Sequence, residues 1–113
     1  MENKSKYIQV STTVEKRSDA ERIARMLSEN KLSACTQIIG PIGSVYRWRG
    51  KIKKSKEWLC VAKSKRGYYG KIEQAIKKIH PYELPEIIAT PIIEGSREYL
   101  GWIQKELNYH GRN

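Results

Sequence analysis

The chain has 113 residues, of which 39% are apolar and 30% charged. That length points to one domain over residues 1–113 with a single modest core, and that balance excludes a disordered chain. No run approaches the roughly 18 apolar residues of a membrane span. The formal net charge is +10, and residues 47–78 account for all of it: twelve basic side chains stand there against two acids, Glu57 and Glu73. Such a patch concentrates anions and suits nucleic acid, although a solvated lysine-rich surface has the same composition.

Residues 7–13 alternate, with Ile8, Val10 and Thr12 on one face, and predict a strand. Before them there is no apolar leader, so the expected location is the cytoplasm. Ser18 and Glu21 have the spacing of a capping box and predict a helix start. Ala20, Ile23, Ala24 and Leu27 recur at helical spacing, and Asn30 is a candidate left-handed stop. A second strand is predicted over residues 33–39. Gly40, Pro41 and Gly43 interrupt it as a bulge or bend, and it resumes over 44–48. Arg49, Gly50 and Lys51 read as a hairpin turn, and a third strand covers 57–64. A helix over 67–79 has its apolar stripe at Tyr68, Ile72, Ala75, Ile76 and Ile79, and Pro81 and Pro85 forbid its continuation. Residues 87–93 predict a fourth strand, apolar enough for burial on both faces. Ser96 caps a last helix carrying Leu100, Ile103 and Leu107, and the tail from Asn108 is expected to fray.

The order β-α-β-β-α-β plus a C-terminal helix predicts an α+β, ferredoxin-like split β-α-β fold with two helices on one face of an antiparallel sheet. The hairpin over 33–58 is long and carries Val45, Tyr46, Trp48 and Trp58. Open edges of that kind need covering, and closed symmetric assembly is the usual answer. Cys35 and Cys60 lie in apolar runs without metal-ligand spacing, and both are expected reduced and largely buried.

The densest chemical cluster is His80-Pro81-Tyr82-Glu83-Leu84-Pro85-Glu86. An imidazole beside carboxylates binds divalent ions or acts as acid and base; a histidine at a helix C-terminus also serves the helix dipole alone. No nucleophile elbow, Walker loop or dinucleotide fingerprint is present, so an enzyme is not expected. The third strand lacks the aromatic signature of RNA-recognition domains, and Arg47-Trp48-Arg49 leaves nucleic acid as a minor expectation.

Several segments together resemble one family. They are Leu32-Ser33-Ala34-Cys35, the hairpin Ser44-Val45-Tyr46-Arg47-Trp48-Arg49-Gly50-Lys51-Ile52, Glu57-Trp58, His80 to Glu86, and Tyr99-Leu100-Gly101-Trp102-Ile103. The family is the CutA divalent-cation-tolerance proteins. The resemblance implies a homotrimer with an architecture similar to PII signalling proteins, a link to copper and other divalent cations, and no established reaction. It implies a metal at His80, with Glu83 and Cys35 as partners. Tyr46, Trp48, Lys63 and Tyr82 would bind a small anionic ligand in a cleft between subunits. A PII-like signalling or scaffold module without a physiological metal is the alternative. Two positions depart from some bacterial members: Ser11 replaces a first-strand cysteine, and Ile79-His80 replaces a histidine pair.

Overall fold

The computed structural model describes residues 5–109. Its elements are β1 (Tyr7–Val14), α1 (Arg17–Glu29), β2 (Cys35–Trp48), β3 (Lys51–Lys65), α2 (Tyr69–Ile79), β4 (Ile88–Ile92) and α3 (Arg97–Asn108), with a 3-10 turn at Arg66–Tyr68 leading into α2. The strands form one antiparallel sheet in the order β2-β3-β1-β4. This is the ferredoxin-like split β-α-β arrangement.

Strand alternation separates the two faces of the sheet. Ile8, Val10 and Val14 of β1 and Cys60 and Ala62 of β3 meet Ala20, Ile23 and Leu27 of α1 and Ile72 and Ile76 of α2 in one buried cluster. The intervening residues point the other way. There Lys63 and Lys65 meet α3, through the Tyr99 ring and Asn108 respectively. Ile103 and Leu107 are buried beneath that helix. The rest of this second face is bare: Ile39 pairs with Leu59 and Ser11 with Ile88, and Ile39 and Ile88 are 49% and 52% exposed.

Several local expectations need correction. Helix α1 begins at Arg17 with Lys16 as N-cap, and no side chain caps it. The Lys16 carbonyl accepts from the amides of Asp19 and Ala20, so Ser18 already lies in the first turn and Glu21 pairs with Arg17 at 3.3 Å. Asn30 is not left-handed; its side chain donates to the Met26 carbonyl at 2.8 Å, and Lys31 takes the positive φ of 57°. Strand β4 is not buried on both faces. Among the described residues it is an edge strand that pairs with β1 alone, and Ile88 to Pro91 are exposed. Cys60 is buried, whereas Cys35 is only half-buried; both are free thiols. The tail from His110 lies outside the described residues.

Other expectations hold. Strand β2 runs through its glycines and proline with an irregularity between Ile39 and Ile42. Ser96 caps α3, its Oγ accepting from the Tyr99 amide at 3.1 Å. The hairpin closes through Arg49 and Gly50, both at positive φ (51° and 82°), the geometry of a type I′ turn. Strand β3 starts at Lys51 immediately after it, six residues earlier than the sequence pattern indicates.

Candidate functional site

The loop after α2 folds back over the end of β1 because His80 ties it there. His80 is the C-cap of α2 and only 9% exposed. Its Nε2 lies 3.0 Å from the Thr13 carbonyl, and its Nδ1 lies 3.1 Å from the Tyr82 amide nitrogen. A carbonyl only accepts and an amide N–H only donates, so the ring is the neutral tautomer with its proton on Nε2. Burial holds the imidazole below the usual histidine pKa, opposed in part by the Thr13 carbonyl and the charges of Asp19 and Glu57.

Tyr82 is thereby aimed at β3. Its hydroxyl donates to Glu57 Oε2 at 2.7 Å, and Glu57 is 7% exposed. Burial first, and then the carboxylate, push the Tyr82 phenol well above its ordinary pKa. The hydroxyl therefore stays a donor throughout the physiological range, which is what a buried carboxylate needs.

Around this pair opens a cleft of about 800 Å³ between the 80–86 loop, the end of β1 and the β2–β3 hairpin, which lines it from Gly43 out to Trp48 beside the turn. Tyr46, Trp48 and Tyr82 give it aromatic walls; Glu57, Glu83, Glu86 and Lys53 also line it. In a chain of net charge +10, this is a place where carboxylates outnumber cations. Glu83 also lies 3.6 Å from Arg49, with both side chains well exposed.

The structure thus brings Tyr46, Trp48, Tyr82 and Glu83 together, with His80 behind them as the anchor of the loop. It does not bring Cys35 or Lys63 to them. Cys35 pairs with Lys63 across β2 and β3, whereas Thr13 pairs with Leu59. Four strand residues separate the two levels, about 13 Å. Lys63 bonds the Gln37 side-chain oxygen and lies over Tyr99, beside a smaller pocket also lined by Gln9, Ile92 and Leu100. Among the described residues no three His, Cys, Asp or Glu side chains group closely enough to hold a metal, and both His80 nitrogens already have partners. The donors within one chain therefore do not make a metal centre by themselves.

Sequence reasoning did not place Glu57, Thr13 or Lys53 in the site. Glu57 carried a signal, as one of two acids in a strongly basic stretch. Thr13 contributes a backbone carbonyl, which no side-chain pattern announces.

A split β-α-β fold with an acidic, aromatic cleft along the β2–β3 hairpin defines the class. The model of the CutA1 divalent ion tolerance protein family matches residues 8–106, and the chain belongs to that family. It is 40% identical over 96 residues to the divalent-cation tolerance protein CutA of Thermus thermophilus, covering 85% of this chain and 93% of that one. It spans 49% of the CutA protein of Mus musculus, to which it is 36% identical. Among solved structures, CutA1 from Shewanella sp. SIB1 superposes with a TM-score of 0.88 at 41% identity, covering 92% of this chain and 97% of that one. The structure from Archaeoglobus fulgidus, described as a periplasmic divalent cation tolerance protein, gives 0.87 at 34% identity, covering 90% and 99%.

Proposed function

We propose that this chain is a non-enzymatic, trimeric divalent-cation-tolerance protein whose cleft, completed by a neighbouring copy, takes a divalent cation such as copper. The observation that carries the reading is that Glu57, Glu83 and Glu86 all line one aromatic-walled cleft in an otherwise basic chain, too far apart to hold an ion without a further donor. That charge balance favours a cation over the small anionic ligand considered from sequence. Glu83 and Glu86 are exposed and free to turn toward an ion, while Glu57 is committed to Tyr82. His80 holds the loop and would reach a metal only by giving up Thr13 or Tyr82. Cys35 lies on edge strand β2 beside Lys63, half-buried, where another copy would complete its surroundings. The exposed Ile39 and Ile88 on the bare second face support assembly. No described helix is long and apolar enough to cross a membrane, and the reading puts the protein in the cytoplasm, where free Cys35 and Cys60 stay reduced.

Light scattering on the purified protein should give three chain masses. Calorimetric titration with copper should show binding that Glu83→Gln/Glu86→Gln removes while the trimer persists. A stable monomer, or binding untouched by that variant, contradicts the reading. The alternative, a PII-like signalling module without a physiological metal, is favoured by the two engaged nitrogens of His80. A trimer that does not bind copper at all is the result that selects it.

A further inference from the structure

Glu83 and Glu86 stand on a stretch without regular structure, between the end of α2 at Ile79 and the start of β4 at Ile88. Among the described residues, the backbone–backbone hydrogen bonds made outside helices and strands include none from residues 81–87. Pro81 and Pro85 have no N–H to give. Side chains hold the stretch instead.

At its start the Tyr82 amide donates to His80 Nδ1 at 3.1 Å, and the Tyr82 hydroxyl donates to Glu57 Oε2 at 2.7 Å. At its far end the hydroxyl of Tyr69, the first residue of α2, donates to the Ile87 carbonyl at 3.2 Å. Glu73 lies near the same hydroxyl and is itself paired with Lys77 at 2.9 Å. Tyr69, Ile79 and Ile87 all pack against the core cluster, so the anchors are rooted in the rigid part of the molecule. Only Glu83, Leu84, Pro85 and Glu86 lie between the two anchors, and Glu83, Leu84 and Glu86 line the cleft. A segment this short, pinned at both ends and stiffened by a proline, has little backbone freedom left to lose. An arriving ion meets carboxylates already placed and does not have to order the loop.

We propose that Tyr69 and Tyr82 are positioning residues of the cation site: their hydroxyls pin the two ends of the 83–86 segment and so hold the Glu83 and Glu86 carboxylates at the cleft before an ion binds. These roles rest on the cation reading of the cleft. Glu57 then acts through Tyr82, as the acceptor of the pin, and is not a ligand.

The test uses three single substitutions in the full chain. Tyr82→Phe and Tyr69→Phe each remove one hydroxyl and keep the ring. Glu57→Gln keeps a side-chain oxygen that accepts from Tyr82. Amide hydrogen exchange of residues 82–87, followed by mass spectrometry without metal, reads the loop. Calorimetric titration with copper(II) chloride reads the site. Tyr82→Phe loses a bond to a carboxylate and should speed exchange about tenfold or more; Tyr69→Phe loses a neutral bond and should speed it about fivefold. Copper affinity should fall in both, about three- to tenfold for Tyr82→Phe. It should never fall by more than exchange rises, because a positioning residue changes only the fraction of the loop that is ready. Glu57→Gln should stay within about threefold of the native protein in both readouts. Circular dichroism and light scattering check that each variant folds and assembles; if Tyr82→Phe does not, Tyr69→Phe carries the test alone. Unchanged exchange in the tyrosine variants overturns the proposal. So does an affinity loss larger than the rise in exchange, which would make the tyrosine a ligand, or loss of binding in Glu57→Gln. If the native protein takes up no copper, the cation reading falls and these roles fall with it. If it binds copper and the tyrosine variants bind equally well, these roles alone fall.

Discussion

Strand β3 lives in two environments. From Trp58 to Lys65 it pairs with β1, and from Leu59 to Lys63 with β2 on its other side as well, and it buries Cys60, Ala62 and Ser64 under the helices. From Lys51 to Lys56 it has β2 alone for a neighbour, and every residue but Ser55 is exposed. Backbone pairing with β2 runs through both halves, broken only by the irregularity between Ile39 and Ile42, yet the side chains obey different rules. Where helices cover the strand, one face must be apolar and the alternation is strict. Where nothing covers it, charge is free to accumulate on both faces. Burial, and not strand geometry, writes the alternating pattern.

The sharpest test sets the two environments against each other. Ile76 of α2 is 1% exposed in the cluster that contains Cys60 and Ala62, whereas Ile52 on the hairpin is 60% exposed. Ile76→Ala should cost about 2–5 kcal/mol through lost burial and a cavity. Ile52→Ala should change stability by no more than about 0.5 kcal/mol. Urea midpoints at one fixed chain concentration read both. A large loss from Ile52→Ala would show that the hairpin is covered in the assembled protein, and the contrast between the halves would then belong to the lone subunit only.

A smaller effect probes the junction between the halves. Gly40 sits in the irregular stretch of β2, and a Cβ there would meet Trp58 Cε3 at 2.6 Å and Cδ2 at 2.8 Å. Gly43, a little further out on the hairpin, has nothing within 4 Å of the same position. Gly40→Ala should therefore destabilise by about 1–3 kcal/mol, the cost of overpacking, with Gly43→Ala well below it. Equal losses would mean that both glycines matter through backbone freedom and that the indole does not set the close approach.

The same division explains what was legible in sequence. The inner half of β3, β1 and the stripes of α1 and α2 have a face to bury, so their periods were readable and their core residues correctly expected. The outer half of β3 has none, and its start was placed at Glu57 instead of Lys51. Strand β4 misled in the opposite sense: Ile87, Ile88, Ile92 and Ile93 read as a doubly buried strand, but β4 is an edge. Four of the seven expected site residues, Tyr46, Trp48, Tyr82 and Glu83, line the cleft, and His80 anchors its loop. Cys35 and Lys63 were grouped with them through family resemblance, and the strand register keeps them at another level of the sheet. The Tyr82–Glu57 bond joins residues 25 apart in sequence and depends on a loop conformation that local pattern does not encode.

The smallest expected effect concerns the anchor of that loop. Burial lowers the His80 pKa in the folded protein from its ordinary 6.5. The folded state therefore prefers the neutral ring more strongly than the unfolded chain does. Above pH 6.5 both states carry a neutral imidazole and the contribution to stability is full. As the pH falls through 6.5 toward the lower folded value, the unfolded chain binds its proton first, and stability falls with it. Below the folded pKa both states are protonated and the loss levels off. Protonation also turns Nδ1 into a donor facing the Tyr82 amide, which donates as well, so the hydrogen bond that starts the 80–86 loop cannot survive it. Urea midpoints between pH 7.5 and 5.5 should decline for the native sequence, with a slope no steeper than about 1.4 kcal/mol per pH unit. For His80→Gln, the part of that decline owed to His80 should vanish, because the replacement does not titrate. The variant should start less stable at pH 7.5, since glutamine does not reproduce both ring contacts. Identical slopes in the two proteins would mean that His80 contributes nothing to the pH dependence and that its burial is relieved in the assembled protein.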